Sequence, residues 1–196
     1  MNLTEEEVIE LSKQGNTLAQ RKLYDTYSKK LYGISLRYAN SEEEAADILQ
    51  DSFIKIFTKL DTYKFEGSFE GWMRRITTHT AIEYYRKRIE YSEIGNVETN
   101  TNLSTTEDLS LEEDDILKLI QNMPNGYRMV FNMYAIEGYS HQEIALMLKI
   151  SEGTSKSQLA RARQYLQREI AKNNRINIQN IQPLIIILRL LYENGI

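Results

Sequence analysis

GYSHQEIALMLKISEGTSKSQLARARQYL, residues Gly138 to Leu166, is the stretch on which the reading of this chain turns. Ser140 is placed to cap a helix, and Glu143 three residues on completes a capping box. Ile144, Ala145 and Leu148 then give one short helix an apolar face. Lys149-Ile150-Ser151 forms the turn, and Ser151 can cap the helix that follows. That second helix carries Leu159, Ala162, Leu166 and Ile170 on one side. Its opposite side carries Ser157, Arg161, Gln164 and Arg168, with Lys156 and Gln158 as shoulders. A short helix bracing a longer one with a polar, basic N-terminal half is a helix-turn-helix, the geometry needed to enter a DNA major groove. The bland alternative is a helical hairpin with a solvated charged face. Caps, turn and basic outer face agree with one another and argue against it.

Working outward, the 196 residues leave room for one or two small domains. A charged fraction of 27% and a hydrophobic fraction of 41% are ordinary for a globular chain. A net charge of −4 argues against nonspecific coating of nucleic acid, although local charge matters more than the sum. With no cysteine, disulfides and thiolate metal sites are excluded. Met1-Asn2-Leu3-Thr4 runs straight into acidic residues, so no signal peptide is expected and the cytosol is the expected compartment. The one strongly apolar run, Leu184 to Leu191, is interrupted by Arg189 and falls far short of the roughly 20 residues that span a bilayer, so no membrane insertion is expected.

The organisation reads as all-α, with two small helical domains joined by a flexible acidic linker. Residues 1–89 form the first. Thr4 with Glu7 is a capping box, and Gly15 stops a short first helix. Thr17 to Ala39 carries Leu23, Tyr27, Leu31, Ile34 and Tyr38 at helical spacing. Ser41 with Glu44 starts a helix to about Leu60, with Leu49, Phe53, Ile56, Phe57 and Leu60 inward, and a further helix should run from Phe69 to about Arg88. Residues 90–111 read as the linker: Glu90, Glu93, Glu98, Glu107 and Asp108 stand among Asn, Thr and Ser without one Lys or Arg. Residues 112–175 hold the helix-turn-helix domain, preceded by helical pattern around Leu111 to Asn122 and from Tyr127 through Val130, Phe131 and Tyr134, with Pro124 between. Residues 176–196 are an extension without an assigned role.

Two faces of the first domain carry candidate chemistry. On the helix from Ser41, Asp47, Gln50, Asp51 and Ile54 line up at i, i+3, i+4 and i+7, away from the apolar stripe. On the helix from Phe69, Arg75, His79 and Arg86 share a face, flanked by Arg74, Lys87, Arg88 and the pair Tyr84-Tyr85, with Trp72 near its start. Basic residues interleaved with aromatics suit a single nucleic-acid strand, since phosphates need positive charge and unstacked bases need flat partners. Periodicity alone equally allows Trp72 and the tyrosines to be core and the arginines to be solvated. His79 with Glu83, and His141 near Glu143, lack a third metal ligand, and no phosphate loop or nucleophile elbow is present. No metal, cofactor or catalytic activity is expected.

Two blocks resemble the extracytoplasmic-function (ECF) sigma factors of bacterial RNA polymerase. Ala45-Ala46-Asp47-Ile48-Leu49-Gln50-Asp51-Ser52-Phe53-Ile54-Lys55-Ile56-Phe57, continuing through Gly71-Trp72-Met73-Arg74-Arg75-Ile76 to Tyr84-Tyr85-Arg86-Lys87, looks like conserved region 2. Met123-Pro124, Arg128, Val130-Phe131, Glu137-Gly138-Tyr139-Ser140, Glu143-Ile144-Ala145, Ile150-Ser151, Gly153-Thr154 and Arg161-Ala162-Arg163 look like region 4. The likeness covers roughly residues 5 to 172. It implies a sigma factor that binds core polymerase and directs promoter-specific initiation. Asp47, Gln50, Asp51, Ile54 and Lys55 would dock on the β′ clamp helices. Trp72, Arg75, His79, Tyr84, Arg86, Lys87 and Arg88 would recognise and melt the −10 element, capturing a flipped base. Lys156, Ser157, Gln158, Arg161 and Gln164 would read the −35 element in the major groove. The partners so implied are core RNA polymerase, through its β′ clamp helices and β flap, and promoter DNA, with an anti-sigma factor left open.

The chain departs from the family pattern in four places. His79 stands where Asn is common, and Gln158, where Arg is usual, loses one phosphate contact. Ser155 stands on the packed side where Val is usual, at an expected cost in core burial. The fourth departure is the extension 176–196. The rival reading is a stand-alone helix-turn-helix regulator with an N-terminal dimerisation or sensor domain, and a helical protein-binding adaptor is the third.

Overall fold

The structure, a computed structural model, describes residues 3–94 and 117–172. The expected linker beyond residue 94 and the extension 176–196 lie outside the described residues. The chain divides into two units, 1–99 and 100–196. All regular structure among the described residues is helical, and no helix there is long and apolar enough to cross a membrane.

In the first unit α1 (Glu5–Lys13), α2 (Thr17–Tyr38), α3 (Glu42–Thr58) and α4 (Phe69–Ile94) follow one another, with a 3₁₀ turn at Leu60–Thr62. The N-termini form where the side chains dictate. Thr4 and Glu7 exchange both capping-box bonds, the Asn16 side chain accepts from Leu18 and Ala19, and Ser41 accepts from Glu44. Glu44 caps one residue further back than expected, on the Asn40 amide at 2.5 Å. Gly15 takes φ 78°, a conformation that strains any other residue, and reverses the chain into α2. α2, α3 and α4 pack on one another around Leu31, Ile34, Ile48, Ile56, Met73 and Ile82, while α1 covers α2 with Val8 and Ile9. α4 overruns its expected end near Arg88 by six residues, into the stretch read as linker. No Gly or Pro intervenes before Gly95, so nothing stops its propagation.

In the second unit residues 117–121 form α5, followed by α6 (Asn125–Phe131), a π-helical stretch Asn132–Ile136, α7 (His141–Leu148) and α8 (Glu152–Lys172). α6 and α7 both pack on α8. Met129, Val130, Phe131, Ile144, Leu148, Leu159, Ala162 and Leu166 make the core, as the apolar periodicity requires, while Ile170 is only half-buried. At its centre lies Arg128, 0% exposed, which donates from Nη1 to the Gln121 carbonyl (2.8 Å) and from Nη2 to Asn125 Oδ1 (2.9 Å). It ties α5 to α6 from inside.

Candidate nucleic-acid interface

On α3 the expected docking residues separate into two groups. Asp47, Gln50 and Ile54 are exposed, Ile54 by 55%, and form an open face. Asp51 and Lys55 instead turn toward α4. Asp51 Oδ2 accepts the Tyr84 hydroxyl at 2.9 Å, and Lys55 Nζ donates to Glu83 Oε2 at 2.6 Å. Gln50 and Asp51 are adjacent, hence about 100° apart around the helix, so only one of them can lie on the outward line with Ile54.

On α4, Arg75, His79 and Lys87 are exposed as expected. Though the residue is exposed, partial desolvation of its ring, then the charge of Arg75, holds the His79 imidazole below its ordinary 6.5, so at neutral pH it offers one donor and one acceptor. Arg86 is half-buried, its Nε enclosed without a hydrogen-bond partner among the described residues. Two expected strand contacts also have partners within the domain. The Tyr84 hydroxyl is held by Asp51, and Arg88 Nη1 donates to both Glu44 oxygens at 2.9 Å while its guanidinium lies 5.6 Å from the Tyr85 ring centroid. Arg88 therefore staples α3 to α4, because the acidic first turn of α3 lies across from the basic stretch Arg86-Lys87-Arg88 of α4. Trp72 is half-buried, stacked on Phe69 at 5.7 Å and tilted on Tyr63 at 5.4 Å, so the core reading of it is partly right.

Sequence reasoning missed Phe65. It is 40% exposed at φ 60°, with its ring 5.0 Å from Tyr63 and Lys13 Nζ 4.6 Å above it. A bulky residue in the left-handed region is a strained conformation, and such strain gathers at functional sites. The only sequence signal was an aromatic without helical period, between Lys64 and Glu66.

The helix-turn-helix is built as read. Ser140 and Glu143 exchange their capping bonds at 3.2 and 2.8 Å, Lys149 turns the chain at φ 55°, and Ser151 Oγ accepts from the Thr154 amide at 2.9 Å. Ser157, Arg161, Gln164 and Arg168 lie exposed, opposite the buried Leu159, Ala162 and Leu166. Lys156 is exposed and paired with Glu152 at 2.7 Å. Gln158 is half-buried against Gly126, where a Cβ would stand 3.0 Å from its Nε2, so packing already claims part of this side chain.

Ser155 is wholly buried, and its Oγ lies 2.9 Å from His141 Nδ1. The His141 ring stacks on Tyr134 at 4.5 Å. The polar residue at a packed position thus links α7 to α8 instead of being left unsatisfied. Burial, then Lys156, keeps His141 below 6.5; Arg163 adds to this and Glu152 opposes it. A histidine with a lowered folded value favours the fold while neutral. That contribution is present above the unfolded value and lost as pH falls through the folded one. The wild-type melting temperature should therefore drop more between about pH 7.5 and 5.5 than that of His141→Gln, since His79 titrates in both proteins. Parallel drops would remove His141 from the account.

Two family models match the chain: Sigma-70 region 2 over residues 23–89 and Sigma-70, region 4 over residues 113–166, together more than half its length. The ECF RNA polymerase sigma-E factor of Haemophilus influenzae is 27% identical over 182 residues, covering 86% of this chain and 96% of that protein. The chain belongs to the ECF sigma factors. The sigma-E factor of Escherichia coli is 26% identical over 182 residues, covering 86% of this chain and 95% of that one. The fold is also that of the sigma factor RpoE of Bartonella quintana, solved with the anti-sigma factor NepR. Its TM-score is 0.53 at 21% identity, over 79% of this chain and 98% of that one. As a sigma factor the chain gives core RNA polymerase its promoter specificity. The stand-alone regulator is not favoured, because its sensor module would occupy the residues that match region 2.

Proposed function

We propose that this sigma factor docks on core polymerase with Asp47, Gln50 and Ile54 of α3, aided by Asp51 and Lys55, and captures the opened −10 strand on α4. Arg75, His79, Arg86 and Lys87 supply charge and hydrogen bonds there, and Phe65, Trp72 and Tyr84 supply flat surface. Melting is the costly step, offset by stacking and phosphate neutralisation on the exposed strand. Arg88 acts from within, as the partner of Glu44. In region 4, Lys156, Ser157, Arg161 and Gln164 read the −35 duplex, with Gln158 at the edge of the contact. The site of action is the cytoplasm, where the polymerase works.

The observation that carries this reading is the pairing of two unlike faces on adjacent helices: an open acidic-apolar one on α3 and a basic-aromatic one on α4. A duplex-only regulator has no use for the second.

The test is transcription by core polymerase with this chain on a promoter library. Transcripts sharing one promoter motif are expected; none at all would overturn the reading. Asp47→Arg should weaken core binding at least about tenfold, because it reverses the charge and lengthens the side chain on the proposed docking face. Stability should move by less than about 0.5 kcal/mol, as for other exposed charges. His79→Ala should spare closed complexes and reduce permanganate reactivity of unpaired thymines. Equal loss of both complexes, or of neither, counts against the placement of His79.

A further inference from the structure

Three polar bridges cross the seam between α3 and α4, and they run antiparallel: Glu44 with Arg88, Asp51 with Tyr84, Lys55 with Glu83. The outer two join full charges, the Glu44–Arg88 pair being the more buried. The middle one differs. It joins a half-buried carboxylate, one residue from the exposed Gln50, to a half-buried phenol whose ring has Lys87 Nζ 5.9 Å from its centroid. Only Oδ2 of Asp51 is engaged; Oδ1 takes no hydrogen bond among the described residues. Burial of Tyr84 first, and then the bond and charge of Asp51, push the phenol up to about 12, so it stays protonated as the donor.

We infer that Asp51 is a positioning residue for strand capture: its Oδ2 fixes the orientation in which Tyr84 meets the opened strand, while Oδ1 stays available to polymerase. This rests on the reading above, in which α3 docks and α4 takes the strand. A tyrosine on a helix rotates about χ1 among staggered wells, and a charge-assisted bond at the far end of the ring selects one of them. The ring then meets a base already oriented, so less freedom is lost on stacking. One carboxylate thereby couples docking to melting.

The test uses the full chain with core polymerase and a promoter. Core affinity, permanganate reactivity at saturating core, and melting temperature are measured for Tyr84→Ala, Tyr84→Phe, Asp51→Asn and the Phe/Asn double variant. Tyr84→Ala asks only whether the ring meets the strand; unchanged opening there removes the underlying reading and the inference with it. Tyr84→Phe keeps the ring and removes the donor. Opening should fall about three- to tenfold, the scale of releasing one rotamer well among three and a charge-assisted bond, with core affinity unchanged and the domain still folded at the assay temperature, its melting temperature lowered only by the lost bond. Asp51→Asn should weaken core binding and also reduce opening once core is saturating, and adding Tyr84→Phe to it should cost nothing more. Three results overturn the inference: wild-type opening by Tyr84→Phe where Tyr84→Ala fails, losses that multiply in the double variant, or losses that follow melting temperature. If Asp51→Asn does not fold, Tyr84→Phe alone decides.

Discussion

Arg128→Ala is expected to strip the second unit of most of its stability and to weaken −35 binding as far as the fold is lost, while core binding through region 2 survives. The side chain is fully buried, so truncation opens a large cavity and strips the Gln121 carbonyl and the Asn125 amide of their donor. Cavity and unsatisfied acceptors together should cost at least about 3 kcal/mol. A helical unit this small stands at the low end of the usual stability range, about 5 kcal/mol, so most of its margin is consumed. Calorimetry of the full chain should show one transition lowered by more than about 10 °C, or lost, with the other in place. Arg128→Lys should fall between, since an ammonium reaches one acceptor but cannot fork to two. A variant that melts like wild type would mean the cavity collapses and the two acceptors find other donors.

What the sequence made legible and what it hid differ in range. Both capping boxes, Thr4 with Glu7 and Ser140 with Glu143, were readable because each closes within three residues. The phase of α8 was readable because period 3.6 puts Leu159, Ala162 and Leu166 on one line. The bridges of region 2 were not. Tyr84 meets Asp51 across 33 residues, Glu83 meets Lys55 across 28 and Arg88 meets Glu44 across 44. Periodicity says which way a side chain faces but not what stands opposite. So the reading of Tyr84 and Arg88 as strand contacts carried no sign of Asp51 and Glu44, the partners that packing gives them within the domain. Ser155 read as a loss of burial for the same reason, its partner His141 lying on another helix. Arg128 fell inside the family match, yet no local pattern distinguishes a buried arginine from a surface one. The end of α4 was misjudged by composition: an acidic, polar stretch suggests a linker, but with no Gly or Pro before Gly95 a helix already under way can propagate into it.

The two arginines that flank Ala162, Arg161 and Arg163, should separate reading from packing. Arg161 is exposed and opposite the apolar stripe; Arg163 is half-buried, its Nε enclosed without a partner among the described residues. Arg161→Ala should cost about 1–3 kcal/mol of duplex affinity if it grips a base edge in two places, and leave melting temperature unchanged. Its effect would then depend on the base at one promoter position. A phosphate contact would instead weaken all sequences alike and flatten the salt dependence by about one unit of slope. Arg163 was expected to have a structural partner in the domain, and what it has is enclosure, in which a long aliphatic stem can contribute by packing as well as by charge. Arg163→Ala should therefore lower the melting temperature and reduce binding only as far as the fold is lost. It also removes a positive charge that helps hold His141 low, so this variant should lose less stability than wild type on acidification. Titrating −35 duplex binding against melting temperature for both variants tests the arrangement. If Arg163→Ala loses affinity at full stability while Arg161→Ala melts early, α8 presents the opposite face to DNA.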